Sequence, residues 1–312
     1  MPEYGSIKRH PLVSLILLLL LILAGLFIFM IIGAICAGFF YGKSDVLKFF
    51  SGDISNLSLL KFMQIVSSIG MFVVPALFFA RLESQNWTSF LKFNSCPAIL
   101  FVLVLLMMVS FAPLMELSIE INKSMNLPSF MVEIENWMRN QEDRLAELTM
   151  QLLKMTNFTA LAINLLMLAV LPALGEELIF RGCLQKIFTK MSSNYHVSVW
   201  LTAIIFSAFH MQFYGFLPRM LLGGLFGYLL IWSNSIWIPI LAHFINNAIA
   251  VIMAYVFQRG GISLEEINHT DSYSPVHYMV SFTLTAALLW LFYNQSYKKH
   301  QLLKQQNGTG LG

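Results

Sequence analysis

The sequence predicts an all-α integral membrane protein, a bundle of about eight transmembrane helices with one amphipathic helix outside the membrane. Three observations lead there. The chain is 57% hydrophobic and 11% charged, against roughly 25% charged residues in an ordinary soluble domain. Its apolar residues are gathered into long uninterrupted runs, and about 20 such residues cross a ~30 Å hydrocarbon layer as helix. Backbone N–H and C=O groups in lipid must be paired within the segment, which leaves a helical bundle.

The runs fall near residues 11–40, 58–80, 97–118, 158–188, 196–217, 218–233, 235–257 and 276–293. The first follows Lys8, Arg9 and His10 as a secretory signal would. Its apolar part is twice or more the length of a signal's roughly 7–15 residues, so it reads as a retained helix. The fifth and sixth are the least separated, with Gly215 and Pro218 between them and Arg219 opening the sixth. With the amino terminus in the cytosol, alternation puts Arg81, Lys92, Arg181, Lys186, Lys190, Lys298, Lys299 and Lys304 inside, as the Lys/Arg bias requires. The acidic connections fall outside, one with Glu133, Glu135, Glu142, Asp143 and Glu147, the other with Glu265, Glu266 and Asp271; Lys43 and Lys48 run against the pattern. The expected place is the cell membrane, with both termini cytosolic. A net charge of +3 is here a topology signal and gives no reason to invoke nucleic acid.

Residues 1–304 form a single membrane domain in this reading, with 305–312 a polar, disordered tail. In the connection 119–156, Met131, Ile134, Met138, Leu145, Leu148, Leu152 and Met155 recur at helical spacing. That marks an amphipathic helix, expected to lie on the outer membrane surface or to extend the fourth span. A dimerising coiled coil is the sharper alternative. Cys36, Cys96 and Cys183 are odd in number and widely spaced, which indicates neither a disulfide framework nor a thiolate metal site. Gly223 and Gly227 form a GxxxG, read as close packing inside the bundle before dimerisation.

Glu176 and Glu177 stand together in the middle of the fourth run. Ionised carboxylates there cost several kcal/mol, so two imply partners, a water-filled cavity or a function. His210 ends the fifth run with Phe206 one turn before it, and His243 and Asn247 share a helix face of the seventh. A single histidine or Asn246 or Asn247 alone would serve equally as a packing or interhelical hydrogen-bonding residue; the combination on three adjacent spans points to a site. Glu176 and His243 lie within roughly 6 Å of mid-membrane, whereas His210 is displaced towards the outer side, so tilts or boundaries must differ from the simple layout for all three to meet. Adjacent helix residues diverge by about 100°. Glu177 and Arg181, at i and i+4, are placed to pair, which leaves Glu176 to face the histidines.

The stretch Glu176–Leu184, reading EELIFRGCL, resembles the EExxxR motif of the CPBP family of intramembrane proteases, which includes the CAAX-prenyl endopeptidases and the bacterial Abi proteins. Phe206–His210 is similar to the family's FxxxH motif and His243–Asn247 to its HxxxN motif, in the same order. The likeness covers about residues 155–257. It implies an intramembrane endopeptidase of eight helices acting on apolar, lipidated or membrane-anchored peptide substrates. Glu176, assisted by His210, would activate water as general base, and His243 and Asn247 would stabilise the oxyanion. Glu177, Arg181 and Phe206 would support them.

No cofactor is required by this scheme, although Glu176, His210 and His243 leave Zn²⁺ open as a ligand-bound alternative. No second carboxylate is evident to orient either histidine, which favours the glutamate scheme. The HExxH zinc motif is absent from the sequence. Two other classes compete: a transporter or proton relay, which uses buried Glu and His equally well, and a catalytically idle scaffold for peptide binding or immunity. A relay has no need of an oxyanion donor, which is the feature that separates it.

Overall fold

The computed structural model describes residues 9–262 and 273–308, all helices and connecting turns. Helix α1 (Pro11–Phe40) is followed by a short α2 (Lys43–Phe50), then α3 (Leu57–Glu83) and α4 (Ala98–Lys123). Next come α5 (Val132–Leu152), α6 (Phe158–Ser192), α7 (Tyr195–Phe209), α8 (Phe216–Ser233), α9 (Trp237–Arg259) and α10 (Pro275–Gly308). Their starts are legible locally. His10 caps α1 by accepting from the Leu12 N–H, Asn157 caps α6 through the Ala160 N–H, and Asn194 caps α7 through the His196 N–H, each satisfying an N–H that has no partner within the helix.

Among the described residues seven helical segments are long and apolar enough to cross a membrane, where eight were expected. The difference is α7, whose 15 residues rise only about 22 Å, short of the ~30 Å core. Side chains such as Phe27, Ile31, Val276 and Met279 on α1 and α10 are more than 60% exposed, an outward apolar face suited to lipid and not to water. The chain is an integral membrane protein.

Two apolar clusters form the core. One gathers Leu18, Phe79, Leu91, Leu178 and Phe206; the other gathers Leu100, Met107, Phe226, Ile238 and Phe292. Close helix approach is built on glycine. A Cβ at Gly25 would collide with the Gly70 carbonyl oxygen, so α1 and α3 touch through backbone. Gly223 and Gly227 likewise receive Ala203 and Val199 of α7, which places that GxxxG inside the bundle. Polar pairs knit α4 to α10, with Ser110 and Thr285 hydroxyls 3.0 Å apart and Ser281 donating to the Ser110 carbonyl. All three cysteines are free, and Cys183 is buried.

Helix α5 is amphipathic as expected but does not extend the fourth span, because a turn with the Asn157 cap separates it from α6. It lies across the turn between α7 and α8. Trp137 packs on Phe213 at 5.5 Å, the Arg139 guanidinium sits 4.7 Å over the Tyr214 ring, and Glu142 accepts from the Tyr214 N–H. The Glu135 carboxylate, hydrogen-bonded by Arg139 and by the Leu127 N–H, titrates below the usual glutamate range for that reason. At the carboxyl end α10 continues to Gly308. Residues 309–312, and the acidic connection with Glu265, Glu266 and Asp271, lie outside the described residues.

Candidate active site

The site lies where the two apolar clusters meet, and the short α7 is what brings it together. Because this helix ends at Phe209, His210 turns inward at its carboxyl end in place of continuing towards the outer face. His210 thereby lines the same cavity as Glu176 and His243. Breaking a helix inside a membrane exposes backbone groups that protein must satisfy, and the neighbouring residues do so. Asn122 of α4 donates to the Phe213 carbonyl and accepts from the Leu217 N–H, while Ser207 donates to the Phe216 carbonyl.

Glu176, Phe206, His210, His243 and Asn247 line one cavity of about 200 Å³. Pro172, Arg219, Leu222, Phe226 and Asn246 complete its wall. Glu177 points away, fully buried, as does Arg181 at 1% exposure. The two carboxylates therefore separate as their 100° offset requires.

The buried pair is more than a helix clamp. Arg181 donates to Glu177 Oε1 at 2.8 Å and to the Gly223 carbonyl at 3.2 Å. Its guanidinium lies 4.5 Å from the Phe206 ring centre and 5.4 Å from that of Phe226, positions of favourable cation–π contact. Glu177 Oε1 also meets His243 Nδ1 at 2.8 Å. The expectation that no carboxylate orients either histidine is thus corrected: Glu177 orients His243. Spacing along the chain could not show this, since the partners are 66 residues apart.

Both imidazoles are held at Nδ1. A carboxylate only accepts, so His243 Nδ1 is the protonated nitrogen facing Glu177. His210 Nδ1 lies 2.9 Å from the Phe206 carbonyl, which also only accepts. In the neutral rings each Nε2 is left with its lone pair. His243 Nε2 stands 4.0 Å from Glu176 Oε2, too far for a hydrogen bond. Glu176 Oε2 is buried with no hydrogen-bonding protein group among the described residues, and a carboxylate oxygen in that state on a cavity wall is available to a bound molecule.

Asn247 is positioned by a helix irregularity opposite. Pro172 lacks the N–H that an α-helix would direct at the Leu168 carbonyl, in a span that runs as π-helix over Leu166–Val170. Asn247 Nδ2 donates to that carbonyl at 3.0 Å, and its Oδ1 accepts from Asn246 Nδ2 at 3.1 Å. One Asn247 N–H remains for a ligand.

Arg219 and Asn246 belong to the cavity although the motifs do not include them. Arg219 is held by the backbone and side-chain oxygens of Gln212. A cation at the head of an apolar run was a usable signal, by the same argument that singled out the glutamates. As for a metal, among the described residues no three His, Cys, Asp or Glu side chains are grouped to hold one.

The all-helical membrane bundle thus gathers Glu176, two anchored imidazoles and Asn247 around one buried cavity. Residues 158–249, which contain every one of these groups, match the family described as type II CAAX prenyl endopeptidase Rce1-like. A stretch of 90 residues is 29% identical to "Uncharacterized protein YpbD" of Bacillus subtilis (strain 168), covering 28% of this chain and 43% of that protein. The chain thus spans less than half the length of this curated relative. No solved structure matches.

Proposed function

We propose that this protein is an endopeptidase that hydrolyses peptide bonds of apolar, lipidated or membrane-anchored peptides by water activated within the membrane. The observation that carries the reading is the gathering of Glu176, His210, His243 and Asn247 on one small cavity, with Glu177 held outside it as a support. Glu176 takes a proton from water, helped by the free Nε2 of His210, and returns it to the departing amine. The remaining Asn247 N–H stabilises the oxyanion. His243, its ring held at Nδ1 by the Glu177 carboxylate, joins it when its Nε2 carries a proton. The cavity takes the reacting bond and little more, which suits a cleavage site in an extended segment or near a chain end.

In detergent micelles, purified protein should release fluorescence from a quenched apolar peptide, with two fragments by mass spectrometry. Asn247→Ala should lower turnover roughly 10²–10³-fold with little change in KM, as loss of a transition-state donor does. A rise in KM alone would remove it from the oxyanion role. A strong chelator should leave the rate unchanged, and loss of activity restored by Zn²⁺ would replace the glutamate scheme with a metal one. For orientation, a cytosolic amino terminus followed by the three spans α1, α3 and α4 places α5 outside. Cysteine introduced for the exposed Asn140 should then react with an impermeant thiol reagent in intact cells, and labelling only after lysis would invert the topology.

A further inference from the structure

Arg219 stands on the wall of the Glu176 cavity, and the water-activating scheme gives it no part. It is a half-buried cation in a membrane-spanning segment, where an ionised group marks a functional position by default. The α7–α8 turn fixes it. Gln212 accepts from Nη1 through its backbone carbonyl at 3.3 Å and from Nη2 through its side-chain oxygen. The guanidinium also fills the space that a side chain at residue 215 would take, since a Cβ on Gly215 would collide with Nη1. Both oxygens of Gln212 are neutral, so they place the charge without balancing it.

A guanidinium carries five N–H groups, and the two bonds to Gln212 leave three for another acceptor. Two carboxylates act on Arg219 from a distance, Glu142 and Glu176. Glu142, on α5, accepts from the Tyr214 N–H, and Glu176 Oε2 is buried with no protein partner. Among the described residues no carboxylate comes within ion-pair distance of Arg219.

An anion meeting this group must share a cavity of about 200 Å³ with the reacting bond. An apolar peptide has one carboxylate whatever its sequence, the one at its end. A chain end also reaches the wall without a further segment to be housed beyond it. A planar carboxylate fits the guanidinium fork through two parallel N–H bonds, and the charge of Arg219 offsets the repulsion that Glu176 exerts on a second carboxylate in the same space. We propose that Arg219 receives the terminal carboxylate of the peptide substrate, so that the site selects chains that end inside the cavity and cuts close to that end. The proposal rests on the peptidase reading above and adds to it the residue that reads the substrate's end.

The test uses two quenched apolar peptides of one sequence, one ending in a free carboxylate and the other in a carboxamide, with the full chain in neutral detergent. Wild type should cleave the acid with a kcat/KM at least roughly tenfold above that of the amide, the discrimination that a hydrogen bond to a charged group supplies. In Arg219→Gln this ratio should fall towards one, with KM for the acid raised, and Arg219→Lys should keep part of the preference. An unchanged ratio in Arg219→Gln, with kcat lowered alike for both peptides, would give Arg219 a general electrostatic role and overturn the inference. Equal cleavage of acid and amide by wild type would also overturn it, and that comparison stands even if the variants fold poorly. Binding of the same two peptides to folded Glu176→Gln protein separates this inference from the peptidase reading. There the acid should bind at least roughly tenfold tighter than the amide. Tighter acid binding without hydrolysis by wild type would support the role of Arg219 and contradict the peptidase reading, whereas equal binding beside normal hydrolysis would contradict the role of Arg219 alone.

Discussion

Glu177→Gln is expected to destabilise the folded protein by about 3–5 kcal/mol, the usual result of leaving one partner of a buried ion pair uncompensated. The substitution keeps size and an acceptor but removes the charge that balances Arg181, which is 1% exposed and clasped between two aromatic rings. It also weakens the bond that fixes the His243 ring, so activity should fall beyond what the lost stability explains. Adding Arg181→Met removes the stranded charge and should recover part of the stability while leaving activity low, because the imidazole remains without its carboxylate. Denaturation in detergent measures both. A double variant no more stable than Glu177→Gln alone would contradict the pairing as the source of the effect.

Glu176→Gln should give the opposite combination. Its side chain faces the cavity at 12% exposure, with Oε2 unbonded by protein, and the replacement preserves volume while removing the basic group. Turnover should drop by at least roughly 10²–10⁴-fold, the span that general-base catalysis contributes, and the melting temperature should remain near that of wild type. Loss of fold in this variant would show that Glu176 is a structural partner, and retained turnover would transfer the base role to His210.

These two glutamates also show how far sequence alone reaches. Their different roles follow from adjacency on a helix and from the i, i+4 placement of Arg181, both local facts. The runs that became α1, α4 and α9 were legible because composition and length decide whether a helix spans lipid. The link from Glu177 to His243 was not legible, since it depends on how α6 packs against α9. Nor was the early end of α7, where the apolar run continues past His210 through Met211 and Phe213. What stops the helix is tertiary: Asn122, Ser207 and Arg219 satisfy the backbone of the turn. Arg219 was visible as a charge in an apolar run, and its place on the cavity wall needed the α7–α8 turn. Pro172 and Asn247 could each be read, but their meeting at the Leu168 carbonyl joins two distant spans.

The central claim is that this buried cavity hydrolyses a peptide bond with water positioned by Glu176. The direct measurement is cleavage of a quenched apolar peptide by the purified protein in ¹⁸O-labelled water, wild type beside Glu176→Gln, with fragments analysed by mass spectrometry. The account predicts two fragments, one ¹⁸O atom in the newly formed carboxylate, and no cleavage above background by the variant. Cleavage of equal rate by both proteins, or an intact peptide with folded wild-type protein, would contradict it.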